Sequence, residues 1–332
     1  MVKISKKRAF KFLAIFILIW VSIASLITAY FFYEKNRFFP FWVHEEVSID
    51  KLGIPVITYH SVLDPDEFEG HLKYLVKNNY KTLSCDEFYE KLTSKNKNAK
   101  IQKSIVLTFD DGLYSLWGIV YPLLKKYNLK GVAFIPIYNI SNEDIVHSNL
   151  EDVWAKKISL RRIVEKEYKT KLTWKEIEIM NKTNIIDFQS HSVDHKLIYT
   201  VPKGSFATDE QKKLILYNFI YSKKIIEEHL PGKVVQHFCY PNYKGSKDSV
   251  ELAKNIYLTN FWGYIGKKSN YIGDDPYYID RIEEGHNVIL SLPGKERLTF
   301  IKRIILTFME FLFPVKKIQI FLRSLIPTKN TR

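Results

Sequence analysis

A chain of 332 residues with 46% hydrophobic, 15% aromatic and 26% charged side chains can bury one large core and is too evenly mixed for a disordered tail or a fibrous repeat. Its net charge of +14 first suggests nucleic acid or an anionic surface, but five basic groups in residues 1–11 and a net +7 over residues 295–332 leave about +2 for the 283 residues between. A nearly neutral body argues against nucleic acid and for a membrane beside the two ends. The two cysteines, Cys85 and Cys239, exclude a disulfide-stapled scaffold and are expected as unpaired, partly buried thiols.

Residues 12–33 are uncharged and follow a basic flank. As a helix they would reach about 33 Å, enough to span the hydrocarbon core. The flank should stay in the cytoplasm, so residues 1–33 are expected to form a single-pass anchor with the rest of the chain outside. Secretion after cleavage near Ser22-Ile23-Ala24 is the alternative. Residues 34–52 form a linker, and residues 53–293 the main domain.

In that domain short apolar runs alternate with helical patterns. Strands are expected at residues 55–60, 104–109, 131–137, 185–190 and 234–240. Helices are expected near 66–79, 86–95, 114–127, 150–182 (broken), 208–229 and 247–256. Several runs are continuously apolar, as parallel strands covered on both faces should be, and the alternation predicts an α/β barrel or a doubly wound sheet. Residues 139–182, charged and without a strand signal, look like an insertion over one rim. Residues 294–332 mix large apolar groups with Lys and Arg around Pro314, which predicts a basic amphipathic extension lying on a membrane or packed on the domain.

Polar clusters follow four of the strands: Tyr59-His60-Ser61, Asp110-Asp111-Gly112, His191 to His195, and Tyr240-Pro241-Asn242. In a parallel barrel that rim is where catalysis is built. Adjacent carboxylates point in different directions, so one can hold a metal while its neighbour faces substrate. They cannot easily straddle a glycosidic bond, which weighs against a glycosidase. Imidazoles at His191 and His195 would share a face on a helical turn, and with one carboxylate they make the three-ligand layout of catalytic zinc. No G-x-S-x-G elbow and no G-x-G-x-x-G loop occurs, which removes serine hydrolases and dinucleotide binding.

Thr108-Phe109-Asp110-Asp111-Gly112 followed by His191-Ser192-Val193-Asp194-His195 resembles the two signature motifs of the polysaccharide deacetylase, or NodB-homology, family. The segment Pro55 to Val62, with Asp66, Phe68, His71 and Leu72, resembles its poly-N-acetylglucosamine deacetylase branch, in which the motifs are circularly permuted. The resemblance implies a deformed (β/α) barrel and a metal-dependent N-deacetylase. Asp111, His191 and His195 would hold one divalent ion, Zn²⁺ with Co²⁺ or Ni²⁺ as alternatives. Asp110 would be the general base and His60 the general acid, with His286 the runner-up. Tyr240, Pro241 and Asn242 would border substrate or an oxyanion. The arginine that braces the base in other members has no counterpart before Pro241.

The expected activity is hydrolytic N-deacetylation of an extracellular or cell-envelope polysaccharide containing N-acetylglucosamine. The alternatives are peptidoglycan or chitin oligomers as substrate, or a catalytically weak membrane-anchored carbohydrate-binding protein. No nucleic-acid partner is expected.

Overall fold

The computed structural model describes residues 53–294 apart from 96–102, 168, 197–198, 203–204, 264–268 and 285–287, together with Trp20, Ser22 and Ser25. The expected anchor, the linker, the C-terminal extension and His286 lie outside the described residues, but for those three positions. Among the described residues no helix is long and apolar enough to cross a membrane.

Among the described residues eight strands form one sheet: β1 (Val56–Tyr59), β2 (Lys81–Thr82), β3 (Ser104–Asp110), β4 (Gly131–Ile135), β5 (Ile186–Ser190), β6 (His237–Cys239), β7 (Thr259–Phe261) and β8 (Ile282–Glu283). The order is β7-β6-β5-β4-β3-β1-β8, with β2 paired to β3, and every pairing is parallel. The five expected strands are all present. The short β2, β7 and β8 were not expected. All residues of β3 and β4 are buried, which accounts for their unbroken apolar runs.

The sheet curves until its ends nearly meet. Asn260 O accepts from Ile279 N at 3.1 Å and Ile279 O from Trp262 N at 2.9 Å, while Ile282 pairs with Ile57 of β1. The segment from Ile279 to Glu283 thus closes the gap between β7 and β1, giving a deformed barrel rather than a doubly wound sheet.

Helices cover the outside: α1 (Pro65–Lys77), α2 (Cys85–Leu92), α3 (Tyr121–Tyr127), α4 (Leu150–Trp154), α5 (Leu160–Val164), α6 (Trp174–Lys182), α7 (Asp209–His229) and α8 (Lys247–Ala253). Their starts are written locally. Asp64 caps α1 by accepting from the backbone of Asp66 and Glu67, with Pro65 in the first turn. Ser84/Glu87, Thr173/Glu176 and Thr208/Gln211 form capping boxes on α2, α6 and α7. The expected long helix at 114–127 begins as a π-helical turn, Leu116–Val120, before α3.

Two apolar clusters make the core. The larger lies between strands and helices; the smaller, including Val56, Val106, Val132, Phe134, Cys239 and Phe261, fills the space the strands enclose. Cys85, Phe88 and Leu92 of α2 belong to the inner cluster, and Asp187 of β5 accepts from Cys85 N at 2.8 Å. Helix α2 therefore plugs one end of the barrel and leaves the opposite rim for chemistry. Both cysteines are buried and unpaired.

Candidate metal and catalytic site

Strand alternation decides which side chains the rim receives. In β3, Ile105, Leu107 and Phe109 belong to the outer cluster, so Val106, Thr108 and Asp110 face inward. The same parity turns His60 inward after Val56 and Thr58, and His191 inward after Asp187 and Gln189. Register then aligns the strand ends, since Tyr59 pairs with Phe109, Asp110 with Phe134, and Ile135 with Ser190. One rim thus gathers residues more than 130 positions apart in the chain.

Asp111 Oδ1 lies 3.2 Å from His195 Nε2 and 3.5 Å from His191 Nε2. Two metal bonds of about 2.0–2.1 Å at a tetrahedral angle place their ligand atoms about 3.3–3.4 Å apart, so the spacing suits one small cation. Asp111 Oδ1 is buried and accepts no hydrogen bond, an expensive state for a carboxylate oxygen unless a cation is there. The tautomer of His191 also fits. Its Nδ1 lies 2.8 Å from the Cys239 carbonyl, which can only accept, so Nδ1 carries the proton and Nε2 presents a lone pair to the site. Burial opposes ionisation of Asp111, yet the two imidazoles outweigh it and hold the carboxyl far below the usual carboxylate range. The facing Asp111 in turn raises His195.

The two histidines do not meet on a helical turn. Residues 191–195 form a loop in which Ser192 (φ 75°) and His195 (φ 59°) are left-handed, and the rings end 4.9 Å apart. Asp111 (φ 72°) and Gly112 (φ 60°) are left-handed in succession on the facing loop. Non-glycine residues in this region are strained, and three of them carry or flank the ligand set. A Cβ on Gly112 would come within 2.8 Å of Ile140 Cδ1, so glycine is needed there for space as well as conformation.

Asp110 sits behind the ligand set, 3% exposed. Arg281 Nη1 lies 2.9 Å from both of its carboxylate oxygens, and the arginine, 1% exposed, is fixed by donating from Nε to Trp262 O at 2.6 Å. The missing brace before Pro241 is therefore supplied from the barrel-closing segment, 40 positions later. Sequence reasoning gave Arg281 no role. A second cluster, Asp110, His191 and Cys239, also brings three donor atoms together. It suits a cation less well, because Arg281 already engages Asp110 and burial pushes the Cys239 thiol well up, keeping it protonated.

His60 lies at the same rim, partly exposed. Its Nε2 is 3.3 Å from the Tyr243 hydroxyl and its Nδ1 4.0 Å from Glu283 Oε1. Tyr243 also stacks under the Arg281 guanidinium at 5.1 Å, so one ring touches both the candidate acid and the brace of the candidate base. Burial raises the Tyr243 phenol, leaving its proton in place.

Of the expected trio after β6, Tyr240 turns its side chain into the core. It is fully buried, its hydroxyl accepts from Asn260 Nδ2 and Ser249 Oγ, and its backbone N–H donates to Phe261 O at 3.0 Å. Pro241 is buried as well, whereas Asn242 is exposed in left-handed backbone (φ 53°) at the rim. His71 and His237 have structural surroundings, His71 against Tyr59 and Glu284, His237 between Asp86 and Thr259.

The sequence profile of the polysaccharide deacetylase family matches residues 97–261, a span holding Asp110, Asp111, His191 and His195 but neither His60 nor Arg281. Residues 97–261 thus form a domain of the polysaccharide deacetylase family. YxkH of Bacillus subtilis, named for the same family, is 36% identical over 89 residues, 25% of this chain and 31% of that one. The poly-beta-1,6-N-acetyl-D-glucosamine N-deacetylase of Staphylococcus aureus is 25% identical over 227 residues, 65% of each chain. The chain thus spans less than two thirds of the length of these curated relatives. The structure of IcaB from Ammonifex degensii shares the fold with a TM-score of 0.55 at 20% identity, covering 73% of this chain and 95% of that one.

Proposed function

We propose that this protein is a metal-dependent N-deacetylase acting on a polysaccharide containing N-acetylglucosamine. The observation that carries the reading is the orphaned, buried Asp111 oxygen facing two imidazole nitrogens, with a second, arginine-braced carboxylate beside it. Asp111, His191 and His195 would hold the cation, whose chemistry there is Lewis acidity toward water and the acyl oxygen.

The remaining steps belong to the chain. Asp110, paired through both carboxylate oxygens with Arg281, accepts the proton of the attacking water. Arg281 keeps that carboxylate from rotating away from the rim. His60 donates a proton to the departing amine, which is otherwise a poor leaving group, and Tyr243 and Glu283 set its ring. Products are acetate and a free glucosamine unit.

The likeness to the staphylococcal deacetylase, together with the β1 segment that carries His60, favours poly-N-acetylglucosamine over peptidoglycan or chitin oligomers. The apolar segment 12–33 and its basic flank support an anchored enzyme with this domain on the extracytoplasmic side. The test is acetate release by purified, metal-loaded chain across a panel of N-acetylated glycans, with metal analysis alongside. Release from a poly-N-acetylglucosamine oligomer with one ion per chain is expected; a metal-loaded chain silent on the whole panel would defeat the reading.

A further inference from the structure

Glu167 is a buried carboxylate, 3% exposed, carried into the domain by the 139–182 segment. No cation among the described residues pairs with it, and burial raises its pKa. Such a group is costly unless its hydrogen bonds are fully made. Here they go to two catalytic loops. The backbone N–H of Ser115 donates to Oε2, the Ser115 hydroxyl donates to Oε1 at 2.7 Å, and the Ser61 hydroxyl is a further partner. Ser115 Oγ in turn accepts from Val62 N at 3.1 Å.

These partners have telling addresses. Ser61 and Val62 directly follow His60 at the end of β1, while Ser115 closes the turn that starts at Asp110 and Asp111 after β3. The delivery of Glu167 is equally specific. Ile163 of α5 packs where Gly118 has no side chain, a Cβ there falling 3.1 Å from Ile163 Cγ2 and 2.9 Å from Tyr114 Cε1. Trp117 Nε1 donates to His147 O at 2.7 Å, and Leu113 bridges to Lys171. The segment is sewn to the β3 loop on both sides of the carboxylate.

Resting on the deacetylase reading, we infer that Glu167 is a positioning residue that ties the loop bearing the acid, His60, to the loop bearing the base, Asp110. It touches neither substrate nor cation. It fixes the separation of the two proton-transfer groups, so its removal should harm the step that needs both more than the step that needs one.

The experiment compares wild-type chain with Glu167→Ala and Glu167→Gln on two substrates, an N-acetylglucosamine oligomer and 4-nitrophenyl acetate. The amine must be protonated to leave, whereas nitrophenolate leaves without an acid. For Glu167→Ala, kcat per bound metal on the oligomer should fall about a hundredfold with KM little changed, the loss typical of an ångström-scale misplacement. Ester hydrolysis should change little. Glu167→Gln, whose amide can still bridge the serines, should recover much of the loss. Hydrogen exchange should quicken at residues 60–63 and 112–116 and not in β4 or β5. A parallel fall on both substrates, or unaltered exchange in the two loops, overturns the assignment. Wild-type chain inactive on both substrates defeats the deacetylase reading itself and takes this assignment with it. If Glu167→Ala does not fold, Ser115→Ala severs the link to Val62 and is judged by the same substrate split.

Discussion

Asp110 and Asp111 are neighbours in sequence with opposite surroundings. Asp110 is buried against a guanidinium, while Asp111 faces two imidazoles with an oxygen left over. Their roles should therefore separate cleanly. Asp110→Asn keeps an oxygen for Arg281 and leaves the ligand set intact, so metal content should persist while acetate release falls about 10²–10⁴-fold. His191→Ala should lose both, as read by metal analysis and acetate assay on the same samples. A robust Asp110→Asn enzyme would remove the base assignment. Arg281 is the other residue with large leverage. Arg281→Met strands a buried carboxylate, at a cost of about 3–5 kcal/mol in urea unfolding. Combining it with Asp110→Asn should restore part of that, because no charge is then stranded. A double variant as unstable as the two losses added would show that the pair is not coupled.

At the scale of elements, helices and long strands followed local rules, and the surface link between α1 and α3 shows how they are joined. Glu69 of α1 lies 2.6 Å from Lys126 Nζ, 2.9 Å from Lys73 Nζ and 2.7 Å from the Tyr127 hydroxyl. The Lys126 ammonium chiefly, against burial acting the other way, lowers the Glu69 carboxyl from 4.5 to about 2. A folded-state pKa below the unfolded value stabilises above pH 4.5, and that contribution disappears as pH falls toward 2. Both lysines are about half exposed, so solvent screening limits the effect to roughly 0.2–1 kcal/mol. Urea midpoints of wild type and Glu69→Gln should differ by this small amount at pH 7 and converge between pH 4.5 and 2. A gap that widens in acid would contradict the sign. The inserted segment also belongs at this scale. It reads as a charged excursion in the sequence, yet it buries Glu167 and Glu176 and binds the β3 loop.

For the whole molecule, the proposed cation between the β3 and β5 loops would tie the fold to its ligand. Because Asp111, His191 and His195 converge only when β3 and β5 are paired through β4, a metal held by them would bind the folded state in preference to the unfolded one. Saturation at one hundred times the dissociation constant should then stabilise the chain by about 2.7 kcal/mol. Chelation should remove that increment in urea unfolding, and His191→Ala should show none to remove. Equal unfolding curves with and without metal would argue against a built site.

The sequence alone determined the parallel α/β alternation, the helix starts, the five main strands and the positions of Asp110, Asp111, His191 and His195, because each has a local signature: a periodicity, a cap, or a short motif at a strand end. The tertiary structure decided what depends on distant parts of the chain. The two or three residues of β7 and β8 carry no period to read, so barrel closure and the arrival of Arg281 beside Asp110 were invisible. The inward turn of Tyr240 depends on Ser249 and Asn260, and the loop rather than helix at His191–His195 on left-handed backbone held by neighbours. Motifs name the atoms that do chemistry, whereas the groups that brace them are chosen by packing across the barrel, and packing leaves no pattern in any single segment.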